Sequence, residues 1–242
     1  MTITKYNASG NTFVIFQSQE KKDYSQLAIS LCKQEKVDGL IAVVPHNKYD
    51  FEWLFYNNDG STASMCGNGT RAVAHYAFAN NLANKKVKFL TGAGEIQCNV
   101  DGDIVETTMP KPTKLNDTFS ELGFSWYMID TGVPHLVTIV DDLEQFNLDI
   151  CSQMRYKYNA NVNFAKVENG TLQVRTYERG VENETQACGT GMTACFLRAF
   201  ELGLVESSAE VYPTSKEQLI LSKDEKGLYF KGKVTKEYTK EI

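Results

Sequence analysis

Met65-Cys66-Gly67-Asn68-Gly69-Thr70, followed by Ala72-Val73-Ala74-His75-Tyr76-Ala77-Phe78-Ala79, is the stretch from which the rest of the chain can be read. A cysteine and two glycines lead into a segment that is apolar on nearly every side, which predicts a helix over Gly67–Asn80. A helix that is apolar all round has to be enclosed by other elements. The pattern returns once. Ala187-Cys188-Gly189-Thr190-Gly191-Met192 opens a second apolar segment, predicting a helix over Gly189–Leu202 with Gly203 as its C-terminal cap. The two cysteines stand 122 positions apart, and a repeat at that spacing implies two pseudo-symmetric domains.

Around these helices the dominant pattern is short β-like runs. Strands are predicted near Thr12–Phe16, Leu40–Val44, Phe51–Tyr56, Val87–Leu90, Glu95–Val100 and Ile104–Met109. A second set falls near Trp126–Ile129, Leu136–Val140, Asn163–Val167, Leu172–Tyr177, Gln218–Leu221 and Leu228–Val234. Asp101-Gly102, Asn169-Gly170 and Lys226-Gly227 each read as a hairpin turn. Tyr24–Gln34 reads as an amphipathic surface helix with Leu27, Ala28, Leu31 and Cys32 on one face. Pro110-Lys111-Pro112-Thr113-Lys114, between the two strand sets, suits a linker. The expected class is mixed α/β (α+β): two domains of strands wrapped around a central buried helix, with the active site in the cleft between them.

Composition bounds the partners. The chain has 242 residues, 42% hydrophobic and 23% charged, ordinary for a soluble globular protein. A formal net charge of −5 with scattered Lys and Arg argues against nucleic acid or an anionic membrane as partner. The first residues lack the charged-then-apolar pattern of a signal peptide, so a cytoplasmic protein is expected. Six cysteines in a chain of this size read as packing residues or nucleophiles rather than disulfide staples. There is no Cys-x-x-Cys, and His46, His75 and His135 show no ligand spacing, so no metal site is expected.

The two Cys-Gly-x-Gly motifs carry the chemistry. Unsatisfied backbone N–H groups and the positive end of the helix dipole favour negative charge at a helix start and lower the pKa of a thiol there. Glycines let the backbone approach a ligand closely, which makes such a terminus a carboxylate cradle. Two of them across a cleft could hold one carboxylate while one thiolate removes a proton from the adjacent carbon and the opposite thiol delivers one. That inverts a stereocentre without a cofactor, provided oriented donors stabilise the enediolate charge. A single Cys-Gly-x-Gly often marks only a simple helix start; two copies heading two apolar helices are harder to dismiss. A redox disulfide would leave the repeated Gly-x-Gly unexplained, and neither copy has the lysine of a phosphate-binding loop.

At this point the sequence resembles the diaminopimelate epimerase family. The resemblance rests on Asn57-Asn58-Asp59-Gly60-Ser61 leading to Cys66–Arg71, and on Tyr177-Glu178-Arg179-Gly180 leading to Glu184-Thr185-Gln186-Ala187-Cys188-Gly189-Thr190-Gly191. Ser9-Gly10-Asn11-Thr12-Phe13 and Ala160-Asn161-Val162-Asn163-Phe164 support it. The resemblance implies interconversion of LL- and meso-diaminopimelate, towards lysine and peptidoglycan, without pyridoxal phosphate or metal. It implies that Cys66 and Cys188 exchange the roles of proton donor and acceptor, and that the N–H groups of Gly67, Asn68, Gly189 and Thr190 hold the reacting carboxylate. Asn11, Asn57, Asn161, Glu178 and Arg179 would line the pocket. It also implies a C-terminal strand returning to the first domain, giving domains of 1–112 (with about 228–242) and 113–227, and a homodimer as a possible assembly.

Amides, one Glu and one Arg suit a substrate with two carboxylates and two ammonium groups. Equally, an Asn before Asp-Gly is commonly a turn residue, and Glu178-Arg179 could be a surface pair. The chain departs from the family in three places. Gly39 follows Asp38 where the family usually has Gln, Val133 stands where Asn is usual before Pro134-His135, and 180–184 is one residue longer than usual. The departures keep open a racemase of another amino acid, such as proline or histidine, on the same fold. A ligand-binding or thiol redox protein is the non-enzyme alternative. Cys32 and Cys195 read as core residues, Cys98 as a strand residue, and Cys151 as part of an irregular stretch. His75 reads as a packed, hydrogen-bonded histidine and His135 as a loop-orienting one.

Overall fold

The computed structural model describes residues 1–242, which divide into two compact units: residues 1–108 with 231–242, and residues 109–230. In the first, β1 (Thr2–Ala8) pairs antiparallel with β2 (Asn11–Gln17), and α1 (Ser25–Glu35) crosses to β3 (Gly39–Val44), parallel to β2. Then β4 (Phe51–Asn57) runs antiparallel to β3, and α2 (Gly67–Ala79) crosses to β5 (Lys86–Thr91), parallel to β4. The hairpin partners β6 (Gly94–Asp101) and β7 (Ile104–Met109) complete the run.

The second unit repeats that order. After β8 (Thr113–Glu121), β9 (Phe124–Asp130) pairs antiparallel with β10 (Pro134–Ile139), and α3 (Leu148–Tyr158) crosses to β11 (Asn161–Glu168), parallel to β10. Strand β12 (Thr171–Glu178) is antiparallel to β11 and carries the short β13 (Asn183–Thr185). Helix α4 (Gly189–Glu201) crosses to β14 (Ser208–Tyr212), parallel to β12, and β15 (Leu219–Lys223) folds back on β14. Strand β16 (Leu228–Lys233) ends the second run, and β17 (Thr235–Glu241) pairs with β1 in the first unit. Mixed α/β architecture, rich in strands, is thus present twice.

The two cysteine-headed helices are the enclosed ones. Helix α2 buries Gly67–Ala74, Tyr76 and Ala77, packing against β1, β2, β3, β5 and β6; α4 is enclosed the same way by strands of its own unit. Gly203 caps α4 at φ +69, its N–H donating to the Phe200 carbonyl and that of Leu204 to Ala199, which satisfies carbonyls the helix leaves open. Helices α1 and α3 cover the outside of their sheets. Ala28, Leu31 and Cys32 of α1 pack on Ile3, Val14, Phe16 and Leu40, while Cys151 and Met154 of α3 pack on Trp126, Leu136 and Phe164.

Three expectations need correction. Cys151 lies in a regular helix, which starts where the Asn147 side chain accepts from the N–H groups of Asp149 and Ile150. His135 is not a loop residue: it stands in β10, wholly buried. Of the linker stretch, Pro110–Pro112 is irregular but Thr113 and Lys114 already belong to β8. The Asn169-Gly170 turn is as read, with φ of +52 and +76 joining β11 to β12. No helix is long and apolar enough to cross a membrane.

Candidate active site

In the first unit Cys66 is the N-cap of α2. Its backbone is extended (φ −146°, ψ 105°), and its sulfur accepts from the Gly69 N–H at 3.4 Å, with the Asn11 Nδ2 at 3.9 Å. No carbonyl within the helix can reach the N–H groups of Gly67 and Asn68, so these remain available to an anion. A Cβ at Gly69 would lie 3.4 Å from the Cys66 sulfur and 3.2 Å from the Trp53 ring, so the backbone passes close to both. Asn11, Cys66, Gly67 and Asn68 therefore come together. Asn57, at the end of β4, instead holds the approach loop, donating from Nδ2 to the Ser61 hydroxyl at 2.9 Å.

In the second unit Cys188 is the N-cap of α4 (φ −119°, ψ 105°), but its sulfur makes no cap hydrogen bond and pairs with the Thr190 hydroxyl at 3.5 Å. That hydroxyl lies 2.9 Å from His135 Nε2. The tautomer follows from the neighbours. Asn163 Nδ2 donates to the Leu136 carbonyl (2.8 Å) while its Oδ1 accepts from Thr176 (2.9 Å), which fixes the amide with its NH2 end 3.1 Å from His135 Nδ1. Nδ1 thus accepts, Nε2 carries the proton and donates it to Thr190, and the Thr190 proton is left for the Cys188 sulfur. Burial pushes the His135 pKa down to about 3, and the Arg179 charge adds to this, so the imidazole stays neutral.

Asn161, at the start of β11, accepts from the Arg179 N–H at 2.7 Å, and its Nδ2 lies 3.4 Å from His135 Nε2, beside it rather than bonded to it because that nitrogen donates to Thr190. Glu178 accepts from the Thr185 hydroxyl at 2.9 Å, and the Arg179 guanidinium donates to the Asn159 carbonyl at 3.0 Å. Asn163, Thr190 and Cys188 are thereby joined through His135, a residue that sequence reasoning missed as a site component. Its signal was present, since Asn161 and Asn163 alternate on one face of a strand, which places two amides beside whatever β10 carries. Gly191 has a packing reason besides ligand approach: a Cβ would overlap the Asn163 amide oxygen.

The other thiols differ in kind. Burial pushes those of Cys32, Cys98 and Cys151 up to about 12 and that of Cys195 higher still, so all four stay protonated at neutral pH.

The diaminopimelate epimerase family model matches residues 3–115 and 127–237. The chain belongs to that family. A diaminopimelate epimerase of Nitratiruptor is 53% identical over 240 residues, covering 98% of this chain and 96% of its own. Those of Campylobacter jejuni and Helicobacter pylori are 50% and 41% identical, each over 97% of this chain and 96% and 93% of their own. Among solved structures, a predicted epimerase from Pseudomonas aeruginosa (TM-score 0.78, 13% identical, covering 100% and 98%) shares the fold. So does a hydroxyproline epimerase from Agrobacterium vitis (TM-score 0.74, 13% identical, covering 99% and 91%).

Proposed function

We propose that the protein is an isomerase that interconverts LL- and meso-diaminopimelate by two-base proton transfer between Cys66, Cys188 and the substrate α-carbon. The observation that carries this is the pair of cysteines, each the N-cap of a buried helix whose next and third residues are glycines. In one direction the thiolate of one removes the α-proton and the thiol of the other protonates the opposite face; in reverse they exchange roles. The N–H groups of Gly67, Asn68, Gly189 and Thr190 hold the carboxylate and stabilise the charge that develops on it. Asn11, Asn57, Asn161, Glu178 and Arg179 bind the remaining ammonium and carboxylate groups.

Relatives of that name at about half identity over nearly the whole chain support the substrate. Solved structures at 12–14% identity speak only to the fold. The reading also has the enzyme work in the cytoplasm, without pyridoxal phosphate or metal, as a homodimer whose catalytic halves are 1–112 (with about 228–242) and 113–227.

Purified protein incubated with LL-diaminopimelate, without added pyridoxal phosphate, is expected to accumulate meso product until it exceeds the LL form, because inversion at either of two equivalent stereocentres gives the same meso compound. Racemisation of proline or histidine in place of diaminopimelate would select a different racemase. Turnover of none of them by reduced, folded protein would reject the reading.

A further inference from the structure

The least exposed charge in the first unit is that of Arg71, at 0%. It belongs to α2, one turn beyond Cys66, and its guanidinium joins three parts of the chain. Nη2 donates to the Asn68 Oδ1 at 2.7 Å and to the Ser9 hydroxyl, 62 residues away, at 2.7 Å. Nη1 donates to the Lys233 carbonyl, 162 residues away, at 3.0 Å. Such charge-assisted bonds in a buried setting are among the stronger and more directional a side chain makes.

What lies at the far ends gives these bonds their meaning. Ser9 (φ +62) and Gly10 (φ +79) form the tight turn between β1 and β2, closed by the Gly10 N–H on the Asn7 side chain at 2.9 Å. A serine in the left-handed region is held there by its surroundings, and its hydroxyl is held by Arg71. The residue that leaves this turn is Asn11, whose Nδ2 approaches the Cys66 sulfur. Asn68, the other Nη2 partner, supplies one of the N–H groups at the helix start, and the cation fixes which way its amide faces. One guanidinium thus sets both the Asn11 side and the helix side of the first thiol.

We propose that Arg71 is a positioning residue for Cys66: through Ser9 and Asn68 it holds the donors that stabilise the thiolate, and through Lys233 it ties them to the C-terminal segment. The inference rests on Cys66 being a working thiol. Arg71 acts through these three hydrogen bonds. Without it the Ser9–Gly10 turn relaxes, Asn11 withdraws, and Cys66 loses a donor to its charged form, so its pKa rises.

The test reads the thiol directly and so does not depend on epimerase turnover. The pH dependence of alkylation at Cys66 is measured by peptide mass spectrometry, with Cys188 in the same molecule as the internal reference. Arg71→Gln is expected to raise the apparent pKa of Cys66 by about one unit, roughly tenfold less thiolate at neutral pH, with the Cys188 profile unmoved. Asn11→Ala should shift Cys66 in the same direction, and the double variant should shift it no further than Arg71→Gln alone, because loss of Arg71 already withdraws Asn11. Should Arg71→Gln fail to fold, Ser9→Ala removes one of the three anchors and is expected to give a smaller shift of the same sign, again without additivity to Asn11→Ala. An unmoved Cys66 profile in folded variants, equal shifts at both cysteines, or strict additivity with Asn11→Ala would overturn the assignment. An enzyme inactive on diaminopimelate that still showed the Cys66-only shift would leave this inference standing while the proposed reaction fell.

Discussion

Helices α2 and α4 are both 13 residues long, both begin after a cysteine, and both have glycine at the third position, yet the two thiols rest on different chemistry. The first is held by backbone and by a cation: its sulfur accepts the Gly69 N–H, and Arg71 braces the surroundings. The second is held by a neutral side-chain chain running from Thr190 through His135 and Asn163 to Thr176. Strand register shows how the same frame yields both. Phe13 pairs with Gly39 in the first unit, and His135 with Asn161 in the second, the second pair displaced from the first by the same 122 positions as the cysteines. Where the second unit has an imidazole beside an amide, the first has a ring beside a glycine whose Cβ would sit 3.3 Å from that ring and 3.0 Å from the Tyr56 carbonyl. The helix repeats the exchange: Arg71 is matched by Thr193, whose hydroxyl bonds only the Gly189 carbonyl of its own turn at 2.8 Å. The duplication therefore keeps backbone and thiol while moving the polar support from the helix in one half to the strands in the other.

The largest expected effect treats the halves alike. Cys66→Ser and Cys188→Ser should each lower epimerisation by about 10²–10⁴-fold, the range of a lost general acid or base, with the circular dichroism spectrum unchanged. A variant keeping near-full rate would remove its cysteine from the two-base account.

The next effect should separate the halves. Gly191→Ala pushes a methyl into the Asn163 amide, and overpacking of this kind costs about 1–3 kcal/mol. Gly69→Ala meets only ordinary-to-tight contacts and gains helix propensity of about 1 kcal/mol, so its stability should change little. Chemical denaturation of both variants checks this; equal losses would mean that the asymmetry of support has no energetic content.

A smaller effect concerns acid. The pKa of His135 in the folded protein is far below its ordinary 6.5, so protonation favours unfolding. Stability from the neutral ring is complete above 6.5 and is lost as pH falls through the window towards about 3. His135→Gln should flatten the fall of Tm across that window, whereas Arg71→Gln, which removes a group charged throughout, should leave the slope as it is. A slope unchanged in His135→Gln would contradict the buried neutral imidazole.

Much of this frame was legible because enclosed elements write strong patterns. Both central helices are apolar at nearly every position and strands such as β6 and β14 alternate buried with exposed residues, so Ala72–Ala79 and Met192–Phe200 could be read with little else. What escaped reading was exposed or sparse. Strands β8 and β17 are almost wholly solvent-facing, TKLNDTFSE and TKEYTKE, and show no apolar face. Helix α3 buries only Cys151 and Met154, too few for a periodic signal, although Asn147 was a legible cap. The cysteines and Asn161 stood out by motif. His135 and Arg71 did not, because, Asn68 apart, each acts through hydrogen bonds to residues 28–162 positions away, which spacing along the chain does not encode.

The claim that two separate thiols serve one carbon is tested most directly by the position of deuterium at low conversion in deuterated water. Starting from LL-diaminopimelate, the account predicts meso product carrying solvent deuterium at the inverted α-carbon while recovered LL substrate carries none, and the mirror result from the other direction. Deuterium entering recovered substrate as fast as product forms, or product retaining the original hydrogen, would mean a single base serving both faces and would contradict it.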